Sequence, residues 1–376
     1  MATTIVSTTE LNNVALQTSG DTIFVTATGQ INVVLGSAIF NMTSLLPPPT
    51  YVFQTRIVVN GSLSAPNGYG IQLVAATGEP GLHSVVIGAS GSVNGGFDFD
   101  GIHTEGFGNT IQNAGQVTGG IGIWCEQSVD GIIQNDGIIA GLRGAGLILV
   151  DSFATEILNA GKITGNAGIE LNNSTATILN LGEIRSVSGA KAAIDATTGS
   201  AGFALRNSGL ISGQGNAIAG SAFSDAVTNS GTIDGNVVLG AGADVFHGKA
   251  GSLLGTLNGG TGNDTLVGGF GDQSIIGGSQ NDRINGSAGD DLLTGGSQSD
   301  TFVFSRRGDD DTIVDFVNAT DRIELSSFHF ANFASVAALA TDRPGGLLID
   351  LQSLGGGTVF VAGFTKAQFD ATDVIL

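Results

Sequence analysis

The sequence predicts an all-β solenoid, in which short parallel strands stack turn upon turn; one such turn is called a rung below. The 376-residue chain holds 61 glycines and is still 41% hydrophobic, which suits short apolar strands joined by tight turns. A unit of about 22 residues recurs through the middle of the chain, and a nine-residue unit recurs after it. Fixed periods of this kind indicate a stack of repeats rather than a domain with one central core.

Residues 1–50 are predicted to cap the first rung or to reach a neighbouring subunit. The segments TIFVTAT, from Thr22, and INVVLG, from Ile31, have strand character, and the run Leu45-Leu46-Pro47-Pro48-Pro49 closes the region. Such strands could be donated to the open edge of another subunit. The start of the chain lacks the pattern of a usual secretory signal, and no run of eighteen apolar residues predicts a membrane span.

Residues 51–258 are predicted to form a parallel β-helix. An apolar-x-Asn-x-Gly-x-apolar pattern recurs, as in TIQNAGQV from Thr110 and EILNAGKI from Glu156. Asn and Gly tolerate a positive φ, so the pair makes a tight corner, and apolar residues two apart on either side point inward. Asparagines at this spacing predict a hydrogen-bonded ladder between rungs. The aligned asparagines are Asn113, Asn135, Asn159, Asn180, Asn207 and Asn229.

The end of this region carries a resemblance to known secreted proteins. The segment GTIDGNVVLGAGADVFHGKAGSLLG, from Gly231 to Gly255, resembles the passenger repeats of autotransporters and filamentous adhesins. The resemblance implies that the β-helix is right-handed and parallel. It implies little about activity, because one fold can carry many functions.

Residues 259–317 are predicted to form a calcium-binding β-roll. Five consecutive nonapeptides run from Gly259 to Val303: GGTGNDTLV, GGFGDQSII, GGSQNDRIN, GSAGDDLLT and GGSQSDTFV. Each opens on a turn of small residues, and four carry Asp at the sixth position. Such turns bring backbone carbonyls together and Asp adds an anionic oxygen, which is the ligand set that calcium prefers. The apolar eighth residues, which are expected to fill a thin core, are Leu266, Ile275, Ile284, Leu293 and Phe302.

The nonapeptides resemble the RTX, or hemolysin-type, repeat GGxGxDxUx, in which U is apolar. The resemblance covers about residues 259–376. It implies a roll in which one rung takes two nonapeptides, so that glycine-rich turns eighteen residues apart share each ion. The second and fourth carbonyls and the Asp of one turn then bind calcium with the first and third carbonyls and the Asp of the later turn.

Carried onto this sequence, the RTX pattern implies two well-formed calcium sites and one or two weaker ones. The first set is Gly260, Gly262 and Asp264 with Gly277, Ser279 and Asp282. The second set is Gly278, Gln280 and Asp282 with Gly295, Ser297 and Asp300. A third, irregular set would join Ser287, Gly289 and Asp291 to Asp309. Folding is expected to need calcium, because clustered carboxylates repel one another without it.

Three glutamines depart from the RTX pattern. Gln273 replaces the expected Asp of the second nonapeptide, so a site that pairs it with Asp291 is in doubt. Gln280 and Gln298 stand where the pattern has a fourth-position glycine. They are expected to strain their turns without removing a carbonyl.

Residues 318–376 are predicted to form a small β-rich cap that ends in a secretion signal. GDDDTIVDFVNATDRIELSSF, from Gly308, resembles the segment that closes RTX rolls. FANFASVAALA, from Phe330, has helical spacing, and LLIDL and TVFVAGF have strand character. The end, Asp373-Val374-Ile375-Leu376, resembles the uncleaved signal of type I secretion. The resemblance implies a protein that is secreted and folds outside the cell.

The balance of charge favours a cation as partner. Thirty-three acids against thirteen bases give a net charge of −20, which disfavours nucleic acid because phosphate binding needs basic patches. The single cysteine, Cys125, excludes an internal disulfide. It is predicted to be a small core residue beside Trp124.

Signs of enzymatic activity are sparse in the sequence. The histidines His83, His103, His247 and His329 form no H-E-x-x-H motif, and the G-x-S-x-G-like stretches lie at repeat corners. The rival hypothesis is a polysaccharide lyase or epimerase on the β-helix. It would use a dense polar cluster between Phe97 and Gly108, made of Asp98, Asp100, His103 and Glu105. The preferred interpretation is that this cluster is a solvated loop between rungs.

The expected function is therefore non-enzymatic. A β-helix with a calcium-stabilised end suits a secreted subunit of a surface layer, fibre or biofilm at the bacterial cell surface or in its matrix. Such a subunit would associate with itself into a lattice or fibre after calcium binds. The alternatives are an adhesin that binds cells or polysaccharide, and the lyase or epimerase.

Overall fold

The chain folds as a parallel β-solenoid, which confirms the fold that the two repeats predict. The structure is a computed structural model that describes residues 3–6, 9–10, 14–16, 22–26, 30–32, 39–41, 55–74, 82–199, 201–248, 250–306 and 308–376. Short strands form because β-branched and apolar residues alternate with polar ones between turns of small residues. The right-handed coil and the domain boundaries at residues 50, 258 and 317 stay predictions.

The chain divides into two compact units, Met1–Leu205 with Gly209–Ala217, and Arg206–Ser208 with Ile218–Leu376. The strands up to residue 219 are β1 (Thr3–Val6), β2 (Thr9–Glu10), β3 (Val14–Leu16), β4 (Thr22–Val25), β5 (Gln30–Asn32), β6 (Ile39–Asn41), β7 (Arg56–Val59), β8 (Ser62–Ala65), β9 (Ile71–Leu73), β10 (Ser84–Ile87), β11 (Ser92–Gly95), β12 (Ile102–Glu105), β13 (Thr110–Asn113), β14 (Gln116–Gly119), β15 (Ile123–Glu126), β16 (Ile132–Asn135), β17 (Ile138–Gly141), β18 (Leu147–Val150), β19 (Thr155–Asn159), β20 (Lys162–Gly165), β21 (Ile169–Asn172), β22 (Ala176–Asn180), β23 (Glu183–Ser186), β24 (Ile194–Asp195), β25 (Ala204–Asn207) and β26 (Leu210–Ala219).

Each rung of the first unit contributes three short strands, and each strand pairs in parallel with the corresponding strand of the next rung. For example, β10, β11 and β12 pair with β13, β14 and β15. The register holds without slip, because a shift by one residue would turn every inward side chain outward. One inward position therefore forms a continuous apolar stack, each member at most 2% exposed: Ile57, Val85, Ile111, Ile133, Ile157 and Ile178.

The asparagine ladder is confirmed. In the first unit the Nδ2 of Asn113 donates to Oδ1 of Asn135 at 2.8 Å, and the same bond joins Asn135 to Asn159 at 2.7 Å and Asn159 to Asn180 at 2.8 Å. In the second unit Asn207 donates to Asn229 at 2.8 Å. These side chains are at most 2% exposed, so each amide satisfies its polar atoms through the neighbouring rungs and through backbone groups of its own corner, as Asn113 Oδ1 does by accepting from the N–H of Gly115.

The second unit is also built from short strands, most of which pair in parallel. Its strands are β27 (Ala226–Asn229), β28 (Thr232–Ala241), β29 (Val245–His247), β30 (Ser252–Leu253), β31 (Thr256–Thr261), β32 (Thr265–Val267), β33 (Ser274–Ser279), β34 (Arg283–Asn285), β35 (Leu292–Ser297), β36 (Thr301–Val303), β37 (Asp311–Ile313), β38 (Arg322–Glu324), β39 (Ala340–Arg343), β40 (Gly346–Asp350), β41 (Thr358–Ala362) and β42 (Val374–Ile375). The predicted thin core is confirmed, since each of the five eighth-position residues is 0% exposed: Leu266, Ile275, Ile284, Leu293 and Phe302.

The C-terminal segment is β-rich, as predicted. The strands β39, β40 and β41 form an antiparallel sheet, and β41 also pairs in parallel with β37. The predicted helix from Phe330 is shorter than its spacing suggested, because only Phe333–Ala337 is α-helical. Two 3₁₀ turns, Ser326–Phe328 and Gln352–Leu354, complete the segment. Among the described residues, no helix has the length and hydropathy needed to cross a membrane.

The idea that N-terminal strands are free for donation is wrong for the part that the structure describes. The strand β4, from TIFVTAT, pairs with β1 and β7, and β5 pairs with β2 and β8. Both are therefore already held within the chain's own sheets. The proline run at residues 47–49 lies outside the described residues.

We expect Asn159→Ala to destabilise the first unit by roughly 2 to 4 kcal/mol, because the change leaves the amides of both neighbouring rungs without a partner. The measurement is chemical denaturation of the full chain in saturating calcium. Glu156→Ala is the matched control, since Glu156 lies on the same strand with its side chain in solvent. A loss as small for Asn159→Ala as for Glu156→Ala would show that the ladder does not stabilise the fold.

Candidate metal centre

The glycine-rich turns of the roll stack directly on one another. In β31, β33 and β35, Gly260 pairs with Gly278 and Gly278 with Gly296. The spacing is eighteen residues at each step, which is two nonapeptides. Equivalent carbonyls and side chains of successive turns are therefore brought to the same face, as the repeat predicts.

The aspartates of these turns form a row of hydrogen bonds, called the Asp row below. The backbone N–H of Asp264 donates to Oδ1 of Asp282 at 2.9 Å, and that of Asp282 donates to Oδ1 of Asp300 at 2.8 Å. The same contact recurs before and after, so each Asp uses one carboxylate oxygen to support the preceding turn. The row comprises Asp225, Asp244, Asp264, Asp282, Asp300 and Asp321.

The second carboxylate oxygen is buried and has no hydrogen-bond donor among the described residues. This holds for Oδ2 of Asp244, Asp264, Asp282 and Asp300, and for Oδ2 of Asp291 on the opposite side. A buried anionic oxygen without a partner is costly. Five such atoms in regular positions are what calcium, which takes six to eight oxygen ligands, would satisfy.

Backbone carbonyls converge on these free oxygens. A Cβ on Gly259 would lie 2.3 Å from Oδ2 of Asp264 and 2.8 Å from the carbonyl oxygen of Gly277. A Cβ on Gly277 would likewise lie 2.4 Å from Oδ2 of Asp282 and 2.7 Å from the carbonyl oxygen of Gly295. The first-position glycines thus leave the space in which the two kinds of oxygen meet. The residues of the first two predicted sets fit a calcium ion in this respect.

The Asp row is closed at both ends by backbone donors. Oδ2 of Asp225 accepts from the N–H of Ser221 at 2.8 Å, and Oδ2 of Asp321 accepts from the N–H of Val317 at 2.8 Å. The second oxygen is therefore free only at the four inner positions. The capped ends mark where calcium binding along this row would stop.

The opposite side of the roll is less regular, as the sequence suggested. The N–H of Gln273 donates to Oδ1 of Asp291 at 2.8 Å, so successive turns on this side are joined by the same kind of hydrogen bond as in the Asp row. However, Nε2 of Gln273 donates to the carbonyl oxygen of Phe270 at 2.8 Å. It also donates to the carbonyl oxygen of Gly271. Those carbonyls face an amide hydrogen rather than a cation, which disfavours an ion at this position.

Asp291 and Asp309 lie at the position of the irregular site. The N–H of Asp291 donates to Oδ1 of Asp311 at 3.0 Å, and the N–H of Gly289 donates to Oδ2 of Asp309 at 2.8 Å. Asp309 is thus next to the turn that contains Ser287 and Gly289, as expected, but one of its oxygens is already used by the backbone. Asp311 therefore supports the turn of Asp291 in the same way as a member of the Asp row supports the preceding turn. The sequence analysis assigned no role to Asp311.

The backbone conformation explains why several positions of the turns are glycine. It also bears on the two turns in which glutamine replaces glycine. Gly262 and Gly278 have φ of 137° and 122°, in the region that side chains avoid. Gln280 and Gln298 adopt φ of 81° and 82°, so the strain expected at these glutamines is present. Their carbonyls are retained, since the backbone keeps the path of the glycine turn.

Five aspartates of the turns were missed by the sequence reasoning, among them Asp311 and Asp321, which are described above. Asp225 and Asp244 extend the Asp row before Gly259, and Asp315 accepts from the N–H of Gly295 at 2.9 Å and of Gly296 at 2.8 Å. A signal was available for one of them. The stretch LGAGADVFH, Leu239–His247, has Gly at positions two and four, Asp at six and an apolar residue at eight. It was assigned to the β-helix as part of the segment Gly231–Gly255 that resembles passenger repeats.

The polar cluster after Phe97 is a solvated loop only at Asp98, which lies in an exposed turn, so the preferred interpretation was wrong for the rest of the cluster. His103 and Glu105 lie on β12, and Asp100 is 6% exposed. His103 Nδ1 lies 2.9 Å from Oδ2 of Asp100, and its Nε2 lies 3.3 Å from Oε1 of Glu105. Burial alone would lower the pKa of His103, but these two hydrogen bonds and the charges behind them raise it to about 9.

Cys125 is a core residue, as predicted. It is 3% exposed, next to Trp124 on β15, and the hydroxyl of Thr104 donates to its Sγ at 3.4 Å. Burial raises the pKa of the thiol to about 11. A thiol that stays protonated at neutral pH is a poor nucleophile.

Carboxyl groups of the Asp row resist ionisation when no cation is bound. Burial, helped by the charges of neighbouring row members and opposed by backbone hydrogen bonds, raises the pKa of Asp244 and Asp282 to about 7. Burial also raises the pKa of Asp264. The fold therefore favours the neutral carboxyl, whereas a bound cation would favour the carboxylate.

We expect the calcium-free protein to lose stability as the pH rises. The folded pKa of Asp282 is about 7 against 3.8 for the unfolded chain, so its favourable contribution is complete below pH 3.8 and falls between pH 4 and 7, by at most about 1.4 kcal/mol per pH unit. The measurement is denaturation in chelator at pH 5 and pH 8. The difference between wild type and Asp282→Asn isolates this carboxyl. A wild type that gains stability at pH 8 relative to Asp282→Asn would contradict the argument.

Comparison with known proteins agrees with the geometry of the turns. A family model described as the RTX calcium-binding nonapeptide repeat (4 copies) matches residues 256–284 and 267–302. No curated protein sequence matches the chain. The matched residues include Asp264, Asp282 and Asp300 of the Asp row and the glycine turns around them. The chain therefore carries RTX calcium-binding nonapeptide repeats, which lie in the C-terminal part of a parallel β-solenoid.

Proposed function

We propose that the protein is a secreted structural subunit of the bacterial cell surface or matrix that folds and self-assembles when it binds calcium. The observation that carries this proposal is the set of five buried, unpartnered carboxylate oxygens in the roll. A fold that buries anions beside converging carbonyls is incomplete without a cation. Calcium is abundant outside cells, so folding would be coupled to export.

The proposed ions lie between successive glycine turns. Asp264 and Asp282, with carbonyls of Gly260, Gly262, Gly277 and Ser279, would hold one ion. Asp282 and Asp300, with carbonyls of Gly278, Gln280, Gly295 and Ser297, would hold the next. Asp244 is placed to add a third site with Asp264, because its Oδ2 is equally free. The set with Ser287, Gly289, Asp291 and Asp309 would bind more weakly.

The outer surface supports self-association. Leu158 and Leu179 are neighbours on the outer face of β19 and β22, and Leu181 beyond them is 56% exposed. Together with Gln134 and Asp136 they line a shallow groove of about 230 Å³. A net charge of −20 would oppose contact between copies of this face. Calcium would reduce that repulsion while it orders the roll.

The polysaccharide-active alternative has weaker support in the geometry. Beside Asp98 and Asp100 lies a pocket of about 190 Å³, smaller than the sites of about 300 Å³ or more that usually bind small molecules. Arg143 forms an ion pair with Asp98 and lies 5.7 Å from the ring centre of Phe97. Arg143 and Asp98, which both line the pocket, therefore neutralise each other's charge instead of being available to a substrate.

The proposed function is tested by light scattering during a titration from chelator to millimolar calcium. We expect an expanded monomer to compact and then to grow into large assemblies that chelator reverses. Magnesium at equal concentration is the control for charge screening, and Asp264→Asn with Asp282→Asn should prevent both steps. A compact monomer in saturating calcium would overturn self-assembly and direct attention to adhesion and sugar cleavage. No response to calcium would overturn the whole proposal.

We expect Gln273→Asp to add one calcium ion per chain, because it replaces the amide that now occupies the Phe270 and Gly271 carbonyls with a carboxylate. The measurement is calcium stoichiometry by native mass spectrometry or equilibrium dialysis. Gln273→Asn is the matched control, since it shortens the side chain in the same way without adding charge. Unchanged stoichiometry in Gln273→Asp would show that this turn cannot form a site.

A further inference from the structure

A second group of side chains that could bind a metal ion lies in the first unit. The strands β12 and β15 pair in register, which places His103 beside Trp124 and Glu105 beside Glu126. His103 and Glu105 are two residues apart, so both project from the outer face, while Ile102 and Thr104 between them are buried. One ligand atom from each of His103, Glu105 and Glu126 lies within 4.8 Å of the others.

The two glutamates make this arrangement unfavourable by itself. Carboxylates that are directly opposite on paired strands repel one another. The Glu105 side chain is in contact with His103, but the Glu126 side chain has no hydrogen bond or ion pair with any residue that the structure describes. Glu105 and Glu126 therefore concentrate negative charge at this point of the sheet. A divalent cation would remove it.

His103 is held in the orientation of a metal ligand. Asp100 is 6% exposed and accepts a hydrogen bond from Nδ1 at 2.9 Å, so the proton of that nitrogen is fixed. The other nitrogen, Nε2, is directed toward Glu105. A carboxylate behind a histidine in this way orients the ring and raises the basicity of the ligating nitrogen at many metal sites. The ring also stacks on Trp124, with 5.9 Å between centres.

We propose that Nε2 of His103 and the carboxylates of Glu105 and Glu126 bind one zinc ion. Zinc bonds of about 2.0–2.2 Å place neighbouring tetrahedral ligands about 3.3–3.6 Å apart. The 3.3 Å between Nε2 of His103 and Oε1 of Glu105 matches this edge, and Glu126 closes the third position by a small rotation of its side chain. The fourth position is open to solvent, because the three side chains are only partly buried.

The mixed nitrogen and oxygen donors distinguish this site from those of the roll. Calcium prefers oxygen ligands only and takes six to eight of them, whereas imidazole with carboxylates suits zinc and its neighbours in the transition series. The cluster offers three ligands, one of them nitrogen. Calcium and zinc are therefore expected to bind at separate places on the chain and to be measurable independently.

Isothermal titration of zinc chloride into the full-length, calcium-saturated protein tests the proposal. We expect one zinc ion per chain, with affinity at least tenfold lower in Glu126→Gln and about 10- to 100-fold lower in Asp100→Asn, which acts only by positioning His103. Glu126→Gln is the decisive variant, because Glu126 has no described partner that its loss would disturb. Its fold is checked by the calcium-dependent unfolding transition. His329→Gln, at an exposed histidine, is the control.

A second measurement uses Trp124, the only tryptophan of the chain. Cobalt or nickel at the site would lie close to its indole and quench its fluorescence, and zinc added afterwards would restore it. The His329→Gln control should behave as the wild type does. Equal zinc affinity in wild type and Glu126→Gln, or zinc binding that leaves cobalt quenching of Trp124 unchanged, would overturn the proposal.

Discussion

Along much of this solenoid a buried polar side chain of one rung reaches the next rung. In the rungs with the asparagine ladder the side chain is one such as Asn135, which accepts from one neighbour and donates to the other. In the rungs with the Asp row it is an aspartate such as Asp282, which accepts from the backbone of the preceding turn. Both contacts are buried, so both fix the register of the strands that follow them. At the four inner positions of the Asp row one carboxylate oxygen stays free and buried, and such an oxygen is what a metal ion would satisfy.

Much of the fold and of the roll could be predicted because the same residue type recurs at a fixed spacing. The asparagine ladder and the buried eighth positions, such as Leu266, follow from that spacing and from the period-two alternation of strands. The doubt about Gln273 also agrees with the structure, because an amide in place of a carboxylate changes the donor set in a known way. Handedness and assembly do not follow from spacing, since neither depends on which residues repeat.

The features that escaped prediction are those in which the repeat is broken or the partners are distant in sequence. Asp244 was not predicted as a site residue, because its nonapeptide begins with Leu239 and lies inside a longer repeat. Its carboxylate nevertheless accepts the same backbone hydrogen bond as the later members of the Asp row. Glu105 and Glu126 lie side by side on paired strands of different rungs. Because the 22-residue repeat varies in length by several residues, their separation in sequence does not indicate this pairing. Only the pairing of β12 with β15 shows that these glutamates share a face with His103. Ile102–Glu105 lies in a polar segment with the composition of a loop, but it forms a strand because it pairs with the strands of both neighbouring rungs.

The regular middle of the Asp row restricts how such a roll can change in length during evolution. From Asp264 to Asp300 each hydrogen bond joins residues eighteen apart. Duplication or loss of two nonapeptides keeps every Asp above another and adds or removes whole metal sites. Duplication of a single nonapeptide would exchange the two sides of the roll from that point on, and place Asp row members above the side that contains Gln273. Copy number is therefore expected to vary in pairs, and metal capacity to vary with it in steps.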